Sequence, residues 1–175
     1  MGSGKTTVGR IVADALGCPF LDLDKLIEQR DGRPIKEIFE ADGEAFFRRA
    51  EKQALADTVK KYAQGNLVLA LGGGTILSAS SRALLQRDTL CIWLNAPADV
   101  LWSRISGDSS TSLGMTGDNT LGMTDAIATR PLADADFATR LESRRPLYVE
   151  AAHVTIDTEG LSPQDIADEI IISCL

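Results

Sequence analysis

The first residues of the chain carry a pattern typical of phosphate binding. Gly2-Ser3-Gly4-Lys5-Thr6-Thr7 places two glycines before a lysine and two threonines, and apolar residues then recur at helical spacing from Val8. In a Walker A loop, backbone N–H groups and a helix N-terminus face the phosphates, a lysine reaches the β and γ phosphates, and a hydroxyl holds Mg²⁺. Lys5 and Thr6 match the last two roles. We therefore predict an ATP-dependent phosphotransferase that binds nucleotide phosphates with residues 2–7.

Two carboxylates are predicted to reach one edge of a sheet together. Apolar and acidic residues alternate in Phe20-Leu21-Asp22-Leu23-Asp24 as they do in a strand. Phosphoryl transfer to a hydroxyl needs a metal-stabilised phosphate chain and usually a carboxylate that accepts the proton. The spacing of Asp22 and Asp24 would put both on one strand face, where one could serve the metal's water shell and the other the substrate. The alternative is that both are solvated acids at a strand end.

Composition and charge exclude several classes of function. The chain has 175 residues, a net charge of -7 and a mean hydropathy of -0.01, and no apolar run approaches the roughly 20 residues of a membrane span. Three dispersed cysteines suggest neither disulfides nor zinc. A negative protein repels polyanions, so we expect no nucleic-acid partner and a cytoplasmic location. An anionic substrate must then be held by a few local arginines.

The remaining elements alternate between strands and helices. A first helix should end near Gly17, and glycine-rich residues 72–74 should follow a buried strand. This alternation predicts an open, mostly parallel α/β sheet with ligands at the strand C-termini. The predicted helices are Gly43 to Tyr62, Pro97 through Ile105, Thr139 to Tyr148 and one begun by Ser162-Pro163, and the predicted strands are Leu67 to Leu71, Thr89 to Leu94 and Val154 to Ile156.

Residues 106–136 are rich in Gly, Ser, Thr, Asp and Met and show no periodicity. A loop without secondary structure is uncommon beyond about 15 residues in a compact domain. We therefore expect this segment to be either a functional lid or disordered.

Ordered motifs along nearly the whole chain resemble those of the shikimate kinase family. Other small P-loop kinases share the first motif but not the ordered set. The matching motifs are Gly2-Ser3-Gly4-Lys5-Thr6-Thr7-Val8-Gly9-Arg10, Asp22-Leu23-Asp24 with Ile27-Glu28, Gly43-Glu44 with Phe47-Arg48 and Glu51, Gly72-Gly73-Gly74, Arg130-Pro131-Leu132, and Arg144-Arg145-Pro146-Leu147-Tyr148 leading to Asp157-Thr158.

The resemblance implies a role for each acid and for the lysine. Asp24 would hold shikimate hydroxyls and act as the base, and Asp22 would orient Mg²⁺ through water, with Thr6 as the other metal residue. Lys5 and Arg130 would be catalytic with Asp24. Arg130 resembles a lid arginine that closes over the transferring phosphate, where it excludes water and stabilises charge.

The resemblance also implies how shikimate is held. Arg48 and Arg144 would grip its carboxylate, a task that suits the planar guanidinium fork. Gly72, Gly73 and Gly74 would offer backbone N–H groups to the substrate without a side chain in its way. The adjacent residues Arg49 and Arg145 are interpreted as surface charges.

The implied architecture is a single kinase domain over residues 1–175. It would be a three-layer P-loop NTPase-type fold, an open parallel sheet flanked by helices, whose first central strand is missing. The P-loop region would span 1–24, the substrate-binding region about 25–62, and a mobile lid about 106–136.

Two features depart from the family pattern. The lid is longer, and no second arginine lies just ahead of Arg130, for which Arg104 would be a weak substitute. The full Walker A pattern also needs a glycine five positions before Gly4 and a strand leading into the loop, both upstream of Met1. We therefore expect the natural start to lie upstream.

The predicted reaction is transfer of the ATP γ-phosphate to the 3-hydroxyl of shikimate, giving shikimate 3-phosphate and ADP in chorismate and aromatic amino acid biosynthesis. Mg²⁺ would be the cofactor, ATP and shikimate the partners, and the protein a monomer with no membrane contact. Gluconate kinase is the alternative enzyme, because gluconate is also a carboxylate-bearing polyol. A catalytically silent nucleotide-binding module is the alternative of another class.

Overall fold

The structure is a computed structural model that describes residues 2–106 and 130–174, and only the backbone of residues 130–135. Helices and short strands alternate along these ranges. The elements are α1 (Lys5–Ala15), β1 (Phe20–Asp22), α2 (Leu23–Asp31), α3 (Ile35–Lys61), β2 (Val68–Ala70), a short 3-10 turn (Thr75–Leu77), α4 (Ala79–Asp88), β3 (Ile92–Asn95), α5 (Ala98–Ser106), α6 (Arg130–Ala151), β4 (Val154–Asp157) and α7 (Pro163–Ser173).

The strands pair in parallel, as the alternation predicts. β1 pairs with β2, with Leu21 opposite Leu69, and β3 pairs with β4, with Trp93 opposite Thr155. Among the described residues these pairs form two two-stranded sheets rather than one continuous sheet. Parallel strands end at the same edge of a sheet, so the residues after β1 and β2 lie together.

Two clusters of buried hydrophobic residues pack the helices against one another and against the strands. Val8 and Val12 on α1 pack with Ile156 on β4 and Ile166 on α7, and all four are buried. Their spacing of four places the two valines on one helix face. The second cluster joins α2, α3 and α4, and its largest fully buried members are Leu23, Ile38 and Leu55. The first cluster therefore fixes the P-loop helix against β4 and α7, and the second fixes the helices that carry Asp24 and Arg48.

Gly9 lets α1 approach the first sheet closely. A Cβ on Gly9 would lie 2.7 Å from a ring carbon of Phe20, which is closer than real Cβ contacts. The absence of a side chain on Gly9 thus brings the phosphate loop against the strand that ends in Asp22.

Several predicted boundaries were wrong, and not every helix was predicted. α3 begins at Ile35, not Gly43, because Ile35 and Ile38 extend the apolar face and Gly43 interrupts the helix with a kink at φ 77 and ψ 173. α4 was missed because its helical periodicity is weak. α6 extends from Arg130 to Ala151 and continues through Pro146.

None of the described helices is long and apolar enough to cross a membrane.

Candidate active site

A cleft of about 380 Å³ opens where the phosphate loop, α2, α3, the glycine loop and α6 converge. Its lining includes eight of the residues that the sequence predicts for the site. They are Ser3, Lys5, Asp24, Arg48, Gly72, Gly73, Gly74 and Arg144. The chain thus brings together side chains separated by up to 141 positions in the sequence.

The phosphate loop turns directly into α1. Gly4 is the N-cap residue and has a φ of 79, a left-handed conformation that glycine adopts without strain. The first N–H groups of a helix have no intrahelical partner and carry partial positive charge. Lys5 Nζ donates a hydrogen bond of 3.2 Å to Ser3 Oγ. Burial lowers the pKa of Lys5, and the charges of Asp24 and Asp22 partly offset this effect.

Asp22 and Asp24 lie together, but not on one strand face as predicted. β1 ends at Asp22, whose Oδ1 accepts hydrogen bonds from the N–H groups of Asp24 (3.1 Å) and Lys25 (3.4 Å). An aspartate in this position satisfies the free N–H groups of a helix start, so the strand ends two residues earlier than predicted. Asp24 therefore lies in the first turn of α2 and enters the cleft from there.

Asp24 has the environment of a proton acceptor. Burial raises its pKa, the charges of Asp22 and Glu51 raise it further, and Lys5 partly offsets these effects. A Cβ on Gly72 would lie 2.9 Å from Asp24 Oδ1. The glycine loop therefore passes directly against this carboxylate, and a side chain at Gly72 would displace it.

Arg48 is held by Glu51, a cleft-lining carboxylate to which the sequence analysis gave no role. Its Nη1 donates to Glu51 Oε2 at 2.8 Å, and its Nε donates to Glu44 Oε1 at 3.2 Å. The side chain of Glu51 is 5% exposed, and its other oxygen accepts a 2.7 Å hydrogen bond from Thr75 Oγ1. The spacing of three between Arg48 and Glu51 on a helix was the available signal. Glu51 thus links Arg48 to the residue that follows the glycine loop.

Arg144 approaches the glycine loop from α6. Its Nη1 donates to the Gly73 carbonyl at 3.3 Å, and Tyr148 Oη donates to the same oxygen at 3.0 Å. Gly74 lies against the Arg48 guanidinium, since a Cβ there would be 2.6 Å from Nη2. The glycine loop therefore lies between the two arginines.

The neighbouring arginines have other contacts. Arg49 lies 5.9 Å from the centre of the Phe46 ring. Arg145 pairs with Glu142 at 3.1 Å and lies 5.6 Å from the centre of the Trp93 ring, and it also lies within 3.4 Å of an Asn95 oxygen. Both lie outside the set that lines the cleft.

Other predicted residues lie outside the cleft or outside the described part. Arg104 donates two hydrogen bonds to Thr158, to its hydroxyl at 3.1 Å and its carbonyl at 2.7 Å. Gly2, Gly4, Thr6, Thr7 and Asp22 belong to the loop and its surroundings but not to the cleft lining. The side chain of Arg130 and residues 107–129 of the predicted lid lie outside the described residues.

The oxygen atoms of Thr6 and Asp22 fit a magnesium site. Thr6 Oγ1 donates to Asp22 Oδ2 at 3.3 Å, so a hydroxyl and a carboxylate already face each other beside the phosphate loop. Mg²⁺ prefers such hard oxygen ligands and takes only one or two from the protein, keeping waters and phosphate oxygens for the rest. The described residues contain no cluster of three or more His, Cys, Asp or Glu that would form a different metal centre.

Comparisons with known proteins agree with this geometry. The family model described as shikimate kinase matches residues 1–175. The shikimate kinase of Symbiobacterium thermophilum is 40% identical over 172 residues, which cover 98% of this chain and 90% of the relative. The shikimate kinase of Nitrosomonas europaea is 37% identical over 98% of this chain and 73% of its own length.

Solved structures give the same result. The shikimate kinase of Acinetobacter baumannii in complex with shikimate superimposes with a TM-score of 0.81 at 33% identity, covering 99% of this chain and 88% of that one. The Aquifex aeolicus shikimate kinase gives 0.75 at 28% identity, covering 99% and 90%. These agreements in sequence and structure show the P-loop fold, and the chain belongs to the shikimate kinase family.

Proposed function

We propose that this chain transfers the γ-phosphoryl group of ATP to the 3-hydroxyl of shikimate, in chorismate and aromatic amino acid biosynthesis. One observation carries the proposal: Arg48 and Arg144 flank a glycine loop that touches Asp24, in a cleft that also contains Lys5. This arrangement suits a substrate with a carboxylate at one end and a reactive hydroxyl at the other. Membership in the family supports the choice of shikimate.

Arg48 and Arg144 are proposed to bind the shikimate carboxylate. Burial pulls the pKa of Arg48 down, but the hydrogen bonds and charges of Glu51 and Glu44 outweigh it and raise the pKa. The guanidinium thus stays charged and has its orientation fixed before the substrate arrives. A fixed donor loses less conformational entropy on binding than a free one. Among the described residues, Arg144 donates to the uncharged Gly73 carbonyl, which a carboxylate can replace with a stronger charge-assisted bond.

Asp24 is proposed to accept the proton of the attacking hydroxyl. The hydroxyl oxygen forms a bond to the γ phosphorus, the bond from that phosphorus to the ADP oxygen breaks, and the proton passes to an Asp24 oxygen. A raised pKa improves the match between this carboxylate and the proton that it receives. A general base works best when its pKa approaches the working pH.

Lys5 and the first N–H groups of α1 are proposed to bind the phosphates of ATP. Their charge neutralises the oxygens that gain charge as the phosphoryl group moves. When bound, Mg²⁺ would supply further charge neutralisation at the phosphates, held by Thr6 and, through water, by Asp22. We assign Arg130 to the same phosphates by the family pattern. The monomeric state and the cytoplasmic location stay predictions.

The test is shikimate-dependent ADP release by the purified chain, compared with gluconate and with a nucleoside monophosphate as acceptors. Of these three acceptors, we expect turnover with shikimate only. ADP release with gluconate or the nucleotide, and none with shikimate, would overturn the substrate assignment. Nucleotide binding without any turnover would instead favour a silent nucleotide-binding module.

A matched pair of variants tests the arginine assignment. Arg48→Ala should raise the shikimate KM strongly and leave the ATP KM almost unchanged, because Arg48 contacts the acceptor half of the cleft. Arg49→Ala removes the adjacent guanidinium, which lies over Phe46 and outside the cleft, and should change neither value. An equal rise in the KM values of both substrates in Arg48→Ala would contradict the role of Arg48.

A further inference from the structure

The Gly73 carbonyl receives two hydrogen bonds from α6. Tyr148 Oη donates at 3.0 Å and Arg144 Nη1 at 3.3 Å. The two donors differ in what else they are expected to do. Arg144 is assigned to the substrate carboxylate, so its contact with Gly73 has a competitor once shikimate binds. The proposed function gives the Tyr148 hydroxyl no substrate group to bind, so it can hold the carbonyl in both states.

Tyr148 is itself held rigidly. Its ring lies nearly parallel to that of Trp93, with an angle of 11° and centres 5.5 Å apart. Trp93 lies in β3, where the pairing with Thr155 of β4 fixes its backbone. Burial raises the pKa of the Tyr148 phenol, so the hydroxyl keeps its proton and remains a donor at neutral pH. The stack against Trp93 of β3 therefore fixes the position from which Tyr148 of α6 donates to the glycine loop.

The contact with Gly73 fixes more than one atom. The Gly73 carbonyl and the Gly74 N–H belong to one planar trans peptide unit, so they point in opposite directions. Holding the carbonyl toward α6 therefore turns the Gly74 N–H away from α6. Neither the Gly73 nor the Gly74 N–H donates a hydrogen bond to any group that the structure describes. Both are available to a ligand.

Three consecutive glycines cannot keep this orientation unaided. They have no side chains to pack and accept many backbone conformations at little cost. Thr75 N donates to the Gly72 carbonyl at 3.1 Å, which closes the turn but leaves the Gly73–Gly74 peptide between these two groups. Tyr148 and Arg144 are the described groups that hold this peptide.

We propose that Tyr148 is a positioning residue for the acceptor substrate, which fixes the Gly73–Gly74 peptide so that the Gly74 N–H faces shikimate. This inference rests on the proposed function for the identity of the ligand. The orientation of the peptide does not depend on that function and can be measured without any ligand.

The ligand-free test uses the glycine spacing of the sequence. Of the 15 glycines, only Gly73 and Gly74 directly follow another glycine. In protein labelled with carbonyl-¹³C and ¹⁵N glycine, a carbonyl-filtered amide spectrum therefore shows these two amides alone. In Tyr148→Phe, which keeps the ring and loses the hydroxyl, we expect the Gly74 amide signal to shift and broaden as the peptide samples two orientations. Tyr62→Phe makes the same change at the other tyrosine, outside the cleft, and should leave both signals in place. Unchanged signals in Tyr148→Phe would overturn the inference.

The ligand test measures shikimate and ATP dissociation constants by calorimetry. Tyr148→Phe should weaken shikimate binding about 3- to 10-fold, as expected for one neutral hydrogen bond. It should leave ATP binding unchanged and lower the melting temperature by no more than about 2–4 °C. Replacing Tyr148 with 4-aminophenylalanine restores a donor and should restore shikimate affinity. Equal weakening of both ligands, or no rescue, would show a merely structural residue and overturn the inference. A parent chain that binds no shikimate, while its Gly74 amide responds to Tyr148→Phe, would refute the proposed function and leave the positioning of the peptide established.

Discussion

Adding one methyl group at Gly74 should disable the acceptor site without unfolding the protein. Gly74 has a φ of -96 and a ψ of -11, which alanine adopts without strain. Its Cβ, however, would lie 2.6 Å from Arg48 Nη2 and 2.7 Å from Arg48 Cζ, whereas ordinary contacts begin at 3.4 Å. Arg48 Nη1 would lie nearer still, so the guanidinium must retreat by at least about 0.8 Å in Gly74→Ala, and a flexible side chain can do so without disturbing the core.

That retreat acts on a short hydrogen bond. Arg48 Nη1 and Glu51 Oε2 are 2.8 Å apart, and a movement of that size away from Glu51 takes the pair beyond good hydrogen-bond geometry. A hydrogen bond to a charged group is worth about 1.5–3 kcal/mol. If Arg48 loses an interaction of that size with the substrate carboxylate, kcat/KM for shikimate falls about 10- to 150-fold. The ATP KM should change little, and the melting temperature should fall by only several degrees, because the lost hydrogen bond to Glu51 also stabilises the fold.

The assay is coupled ADP release at saturating ATP with varied shikimate. Gly65→Ala is the matched control, because Gly65 has open space where a Cβ would be, and it should behave as the parent. Gly74→Ala is also made in an Arg48→Ala background. There the methyl group meets no guanidinium, so it should cost almost nothing further. An equal loss in both backgrounds would show that the methyl group blocks the substrate directly, and the reasoning from Arg48 would be refuted.

Three further predictions concern charge and packing. Asp24→Asn should abolish turnover but raise the free energy of unfolding at neutral pH. The folded-state pKa of Asp24 lies above its ordinary value. The Asp24 carboxyl therefore favours folding at low pH and loses that contribution as the pH rises through the raised pKa. Urea titrations at several pH values measure this, and an equal gain at every pH would contradict it. Glu51→Gln removes a negative charge that raises the pKa of Asp24, so the acid limb of the kcat/KM profile should move to lower pH while the shikimate KM rises. An acid limb that stays in place would show that Glu51 does not influence the pKa of Asp24. Gly9→Ala should lower the free energy of unfolding by about 1–3 kcal/mol, as overpacking against Phe20 does, and an unchanged melting temperature would show that the ring moves freely.

Much of the fold could be predicted from local patterns. The helix after the phosphate loop, the glycine turn after β2 and the start of α7 each follow from residues within a few positions of one another. At α7, for example, Ser162 and Asp165 form a reciprocal capping box, with Ser162 Oγ accepting from Asp165 N at 3.2 Å. Such signals depend on hydrogen bonds that the neighbouring residues make whatever the rest of the chain does.

At the boundary between β1 and α2, prediction from the local sequence pattern failed. Alternation from Phe20 to Asp24 predicts a strand, but Asp22 is also a good N-cap residue, and the two rules compete for the same residues. Packing decided between them, since Leu23 and Ile27 on α2 are both fully buried in the cluster with α3. A helix starting at Leu23 buries both side chains on one face, whereas a longer strand would separate them.

The sequence by itself determined which groups are available: a lysine and free N–H groups for phosphate, a pair of acids, two arginines and three consecutive glycines. Only the tertiary structure decided which of them meet. Glu51 is joined to Thr75 across 24 positions, and Tyr148 is joined to Gly73 across 75. No periodicity or motif encodes such a pair, because each contact depends on the packing of whole helices against the sheets. Short sequence motifs thus specify the residue types of the site, and the burial of apolar surface between distant parts of the chain sets their geometry.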